Sequence, residues 1–521
     1  MSVSQKRIPA AGALALGAVA MLALVSCGGG SGTGSAAGGD YSTMTLQIDG
    51  PVTSYDPALG ATFQDTVVLL SMYDTLLARD ADGTLIGGLA SEWNLDGATA
   101  EFVIRDDVTC SDGEALTGEV VAASLNRYFD PETAAPFLTN VIGAGNTATA
   151  TGDGQDVRIE LAQPYGGLLQ GLTIAYTGIV CSAGVADPST LTTGSSGTGP
   201  YVADSQVAGA TYTLTSREDY AWAPEFSDAP SGGERPSTLI LNAVADENTR
   251  ANLQTTGEVQ VSGYTTDAWE RVAEQEGWTK VVSQQSGTYL MFNQNEGHPT
   301  TDPEVRKAIA QAIDIERLNQ VQSYGEGQLI TNLGQPDFPC YDESLGDLYP
   351  EQDTAAASEV LKGLKLAVSG TTVLAGGDAN SYLASALEEA GAEVSLQNLE
   401  NSQWAAALFK PANDWDLTIL VYANTTGSML PASSFFSGPI PPNGQNLSGV
   451  VNAEADAILP LALTSTGDES CAAFSEYQTS LLENTNVLPL ATAPVTMVLA
   501  PGVEAHILQG FVYPSTIRYT K

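Results

Sequence analysis

Residues 54–96 read SYDPALGATFQDTVVLLSMYDTLLARDADGTLIGGLASEWNLD. Within them, Asp65–Leu77 places Val68, Leu69, Met72 and Leu76 on one face, which predicts an amphipathic helix. Upstream, Thr43–Ile48 alternates as a short strand; downstream, Glu101–Arg105 does likewise. A strand, a helix and a strand in succession predict an α/β protein.

The pattern continues outward. Gln155–Leu161 alternates like a strand, and Glu119–Tyr128 reads as a helix. Pro303–Val321 is the clearest helical region, with Pro303 suited to a first turn and a stripe of Val305, Ile309, Ala312 and Ile313. Thr354–Leu364, Ser381–Ala390 and Asn401–Leu408 are further helices. Gly391 ends one of them, Ala392–Leu396 resumes as strand, and Leu417–Tyr422 is a buried strand. No internal repeat is evident. A chain of 521 residues exceeds one simple core and calls for two or three lobes.

At the N-terminus, Lys6 and Arg7 precede an apolar run from Ile8 to Val25, the pattern of an export signal. Its end, Leu24-Val25-Ser26-Cys27, resembles the lipobox of bacterial lipoproteins. That resemblance implies a signal peptide over 1–26 and a lipid thioether on Cys27. The plainer alternative is an ordinary cleaved signal with an incidental cysteine. Residues 28–39, GGGSGTGSAAGG, have neither charge nor large side chain, so 27–40 reads as a flexible leash with a reach on the order of 20 Å.

Nineteen Lys and Arg against sixty-one Asp and Glu give a formal charge of −42, which repels nucleic acid and anionic headgroups. Apart from Cys27, four cysteines remain: Cys110, Cys181, Cys340 and Cys471. An even number in an exported chain suggests two disulfides, with three pairings open. No zinc-ligand spacing appears. The nearest approach to a second membrane run, Asn486–Val503, is broken by Pro489, Pro494 and Pro501. There is no G-x-S-x-G elbow, P-loop, H-E-x-x-H or EF-hand loop, so no catalytic residue, metal or cofactor is expected. A surface-anchored hydrolase using paired carboxylates, or an adhesin-type lipoprotein, stays open as the alternative class.

Several short motifs occur in a telling order. They are Asp56-Pro57, Tyr73-Asp74-Thr75-Leu76, the Gly83–Trp93 segment, and FVIRDDVTCSDGEALTGEVVAASLNRY with Phe102, Arg105, Asp112-Gly113, Leu116-Thr117 and Val120. Then come GTGPY at 197–201, REDYAWAP, and MFNQN followed by TDPEVRKAIAQAIDIERL. Taken in order, over nearly the whole chain, these resemble the family 5 extracellular solute-binding proteins of ABC importers, the oligopeptide-, dipeptide- and nickel-binding type. Cys110-Ser111 stand where that family often has His before Asp-Gly.

The resemblance implies a two-lobed periplasmic-binding-protein-like fold with an additional α/β domain and a hinge between lobes. Lobe I would comprise 41–57, 196–284 and 491–521, the additional domain 58–195, and lobe II 285–490. It implies the pairs Cys110–Cys181 and Cys340–Cys471. It places the cleft at Phe63, Gln64, Asn293, Trp404, Tyr422, Asn424 and Thr425, although Trp404 equally suits a core position. From the residues themselves, Gly197 and Gly199 permit positive φ and Pro200 locks the next residue, which predicts a tight bend, and Arg306, opposite the apolar stripe, reads as a structural ion-pairing residue rather than a ligand clamp. Peptide-binding members often carry an Asp, in the loop after the Leu417–Tyr422 strand, that pairs with a peptide's ammonium. Here that loop, YANTTGSMLPASSFF, has no acid. Direct nickel ligation is disfavoured, because only His298 and His506 exist and neither aligns with the cleft stretches. The expected partners are a peptide or other small solute, ABC permease subunits and the lipid anchor. The expected protein is a monomer on the outer face of the cell membrane.

Overall fold

The computed structural model describes residues 42–410 and 414–520. The expected signal peptide, Cys27 and the leash lie outside them. Ten strands form one mixed sheet. In spatial order these are Glu393–Leu399, Lys365–Thr371, Leu417–Ala423, Thr279–Phe292, Val487–Leu499, Val261–Tyr264, Thr43–Ile48, Thr238–Ala243, Thr211–Ser216 and Tyr201–Val207. The two central strands are the longest, with 14 and 13 residues, and pair antiparallel along most of their length. Val487–Leu499 carries the sheet into one half through Val261–Tyr264. Thr279–Phe292 carries it into the other through Leu417–Ala423. The expected α/β, two-lobed architecture is therefore joined in its sheet by two long strands.

Much of Asn486–Val503 is thus a central strand. Pro489 and Pro494 lie opposite Tyr289 and Gln284, beside register slips at Gln284/Ser286 and Gly287/Tyr289. Proline cannot donate to a ladder, so irregular pairing is where a strand can hold it. Alternation sorts the long strand's side chains: Leu290 and Phe292 enter one hydrophobic cluster, Tyr289 and Met291 the cluster on the opposite face. Among the described residues, no helix is long and apolar enough to cross a membrane.

A second sheet, antiparallel, orders its strands Ala90–Asp96, Thr99–Ile104, Asp156–Leu161 and Ala148–Asp153. Helix Gly118–Phe129 covers it. The Asn126 amide both donates to and accepts from the Ala150 backbone, at 2.8 Å each way. This is the additional α/β domain. Cys110 is bonded to Cys181, and Cys340 to Cys471.

Several expected boundaries shift for local reasons. The helix read as Asp65–Leu77 spans Phe63–Met72, because Tyr73 is extended and Leu77–Arg79 turns into a strand. Pro303–Val321 is two helices, Pro303–Ala312 and Ile315–Ser323. Ile313 leaves helical geometry, and Asp314 caps the second helix by accepting from the Arg317 amide at 2.9 Å.

The ordered motifs hold one another. Asp56 caps the turn at Pro57 and pairs with Arg127 of the covering helix. The Asp74 carboxylate accepts from Thr198 Oγ1 at 3.0 Å, Tyr220 Oη at 2.9 Å and Trp222 Nε1 at 3.0 Å, and so ties three motifs together. Gly197 and Gly199 do not use the positive φ open to them. The glycines are needed for close approach instead: a Cβ on Gly197 would lie 2.4 Å from the Met72 carbonyl oxygen. Among the described residues Arg306 has no ion-pair partner, against the expectation. It is buried and donates to the Thr485 and Asn484 carbonyls at 2.8 Å and to those of Thr300 and Thr301 at 3.0 Å.

Candidate functional site

The loop after strand Leu417–Ala423 organises the candidate site. Its first turn is locked from within: the Asn424 side chain donates to the Ser428 carbonyl and accepts from Thr426 Oγ1 at 2.7 Å. The Asn424 carbonyl in turn accepts from Gln509 Nε2 of the C-terminal segment at 2.6 Å. With its ends pinned, the loop presents Tyr422, Thr425 and Phe435 to a cavity of about 690 Å³. The facing wall is supplied by 137–146 and 163–165, including Phe137 and Tyr165. Asn146 stiffens that wall, donating to the Ile142 and Gln163 carbonyls at 2.9 Å each. On the loop side, Ser434 donates to Gln445 at 2.9 Å, and the Tyr422 and Phe435 rings meet edge to face at 5.0 Å. None of the lining residues is charged. Aromatic walls and a few uncharged amides and hydroxyls suit an organic solute held by stacking and neutral hydrogen bonds.

The expected cleft residues divide. Tyr422 and Thr425 line the large cavity. Asn424 is buried beside them and serves the loop's own geometry. Phe63 and Gln64 line a separate cavity of about 120 Å³ together with Arg250, Gln285 and Phe511. There Gln64 donates to Asp49 at 2.8 Å, and Phe63 stacks on Phe511. Asn293 is fully buried, its amide donating to the Trp415 carbonyl at 2.7 Å. Trp404 is a core residue, 6% exposed, with Nε1 donating to Thr418 Oγ1 at 2.9 Å. Neither of the last two lines the large cavity.

Sequence reasoning missed the facing wall, since nothing in the local pattern around Phe137 or Tyr165 marks a ligand surface. The available signal was the loop's composition: no charged residue stands between Asp416 and Glu454. Both histidines are engaged away from the cavity. His298 Nδ1 meets Asp416 at 2.7 Å, and His506 Nδ1 meets Asp228 at 2.5 Å. Burial lowers the His506 pKa, and Asp228 opposes that shift.

Comparison with known proteins matches the chain to a family. The model of the bacterial extracellular solute-binding proteins, family 5, middle region, matches residues 84–444. A substrate-binding protein from Microbacterium hydrocarbonoxydans, crystallised with 4-hydroxybenzoate hydrazide, is 32% identical, with a TM-score of 0.77 over 92% of this chain and 100% of that one. The dipeptide-binding protein of Pseudomonas aeruginosa is 22% identical over 508 residues, 90% of this chain and 93% of its own length. The nickel-binding periplasmic protein of Escherichia coli is 25% identical over 328 residues. That match spans 59% of this chain and just over half of that relative, 57%.

Proposed function

The chain belongs to the family 5 bacterial extracellular solute-binding proteins of ABC importers, and from that premise we propose that it captures a peptide-like or small aromatic solute between its lobes and delivers it to a membrane permease. The observation that carries this reading is the uncharged, aromatic-walled cavity of about 690 Å³ under the Tyr422–Thr425 loop. A relative that was crystallised with a hydroxybenzoate hydrazide, and one named for dipeptides, agree with such a lining. Nickel has no support in it, because no His, Cys or carboxylate lines the cavity.

The lobes divide as 41–57 with 196–284 and 491–521, and 285–490, with 58–195 as the additional domain. The hinge lies where the two long strands slip register, near Gln284–Tyr289. Cys27 carries the lipid, and the leash lets the binding body meet its permease. The protein performs no chemistry on its solute.

Native mass spectrometry of the full chain from an exporting host, followed by denaturation, tests the reading. A released peptide or aromatic solute, lost in Tyr422→Ala with the fold intact, is the expected result. A bare protein that takes up neither dipeptides nor 4-hydroxybenzoate hydrazide overturns it. Cys27→Ser should move the protein from the membrane to the soluble fraction; continued membrane retention removes the lipid anchor.

A further inference from the structure

Beside the large cavity, at the seam between loop Asn424–Ser428 and the C-terminal segment, sits Arg79. It ends strand Leu77–Arg79 and is 3% exposed. Its Nε and Nη1 are buried without a hydrogen-bond partner, and among the described residues the half-buried Asp337 acts on it electrostatically without reaching either of these donors. Phe338 covers the guanidinium at 5.5 Å. Gly427, at φ +64°, covers it from the loop side, where an added Cβ would lie 1.3 Å from Nη1. Burial lowers the Arg79 pKa, which Tyr513 and Asp337 oppose.

A buried guanidinium with two unmatched donors is costly to the fold. Arg79 also lines a small cavity of about 20 Å³ with Thr66, Tyr176, Thr425, Gln509 and Tyr513. That volume holds about one water-sized group, enough for the end of a ligand and not its body. The body has room next door, because Thr425 lines both cavities. Phe137 of the large cavity and Tyr176 of the small one stack ring on ring at 4.1 Å.

We propose that Arg79 is the anchor for a carboxylate of the captured solute, so that the neutral cavity takes the body and the seam takes the charge. This rests on the solute-binding reading above and names its substrate class. A planar guanidinium offers a fork that matches a carboxylate, and its desolvation strengthens the pairing. Asp337 offsets part of the seam's positive charge but leaves Nε and Nη1 unmatched, and the two oxygens of a single carboxylate can accept from both. The charge preference is thus the reverse of a loop acid gripping a peptide's ammonium.

The test measures binding of matched probes to the full chain and to Arg79→Gln. One pair is a random tripeptide mixture with free carboxylates against the same mixture amidated at the C-terminus. The other is 4-hydroxybenzoate against 4-hydroxybenzoate hydrazide. The expected result is a preference for the carboxylate member on the order of tenfold to a hundredfold, abolished in Arg79→Gln while binding of the neutral member persists. Equal binding of both members, or a preference that survives in Arg79→Gln, overturns the anchor and leaves solute capture standing. Binding of no probe overturns both. Should Arg79→Gln fail to fold, Arg79→Lys keeps the charge without the fork and must show a reduced preference; an undiminished one overturns the assignment.

Discussion

Two buried arginines behave in opposite ways. Arg306, where helix Pro303–Ala312 meets the end of helix Gly467–Glu483, spends its donors on four backbone carbonyls. Arg79, at the seam, has Nε and Nη1 unmatched. Both are almost wholly out of water. Burial pushes the Arg306 pKa down to about 10, with Asp302 opposing. What separates them is the use of the donors. A satisfied guanidinium fastens loops together; an unsatisfied one is tolerated where something else is to satisfy it. On the proposal above, the pair contrasts structural with functional burial within one molecule.

The largest break in the comparison should come from Arg306→Met. It strands four carbonyls and should destabilise the fold by about 3 kcal/mol or more, seen as a lower denaturation midpoint at unchanged slope. A loss under 1 kcal/mol, on the order of one ordinary hydrogen bond, would dissolve the contrast. Arg79→Met should move the unliganded protein the other way, by roughly 1–2 kcal/mol of added stability, because it removes a buried charge with two unmatched donors. A lower melting temperature would mean that Arg79 is structural after all. Trp404→Phe removes one hydrogen bond, to Thr418, and should cost about 1 kcal/mol while leaving solute affinity unchanged. Weakened binding would return Trp404 to the site.

The smallest effect is one of pH. Hydrogen bonds from Ser344 and Ser475 hold the Asp342 carboxyl below its ordinary range. A depressed carboxylate gives stability that is present above its unfolded pKa and is lost as pH falls through the folded one. Asp342→Asn should flatten the acid limb of a melting-temperature profile; an unaltered limb would show that those hydrogen bonds carry no linkage.

The same contrast marks how much could be read in advance. Helix Asn401–Leu408 and strand Thr43–Ile48 have the expected bounds, because their side-chain periods alone decide them. Helix Phe63–Met72 stops early because Asp74 is claimed by Thr198, Tyr220 and Trp222, more than a hundred residues away. Helices Ala453–Thr464 and Gly467–Glu483 were obscured by Pro460 inside one and Gly467 opening the other. At the site, Tyr422 and Thr425 follow a strand that its own apolar run announces. Phe137 and Tyr165 face them only through tertiary packing. Arg79, in Leu-Ala-Arg-Asp, reads like an exposed charge at a strand end; no local pattern tells a buried arginine from a solvated one. Likewise the charge-free loop announced itself by composition, but its partner wall did not.

The Cys340–Cys471 bond has a consequence for timing. Phe338, which caps the Arg79 guanidinium, stands two residues before Cys340, and Asp342, two residues after it, is bonded to Ser475 of the same helix that carries Cys471. In a reducing cytoplasm that crosslink does not form, and the cap is held by packing alone. In an oxidising compartment the crosslink ties the segment carrying Phe338 to helix Gly467–Glu483. If the export signal read in the sequence and the Arg79 anchor both hold, the grip on the solute matures only after export.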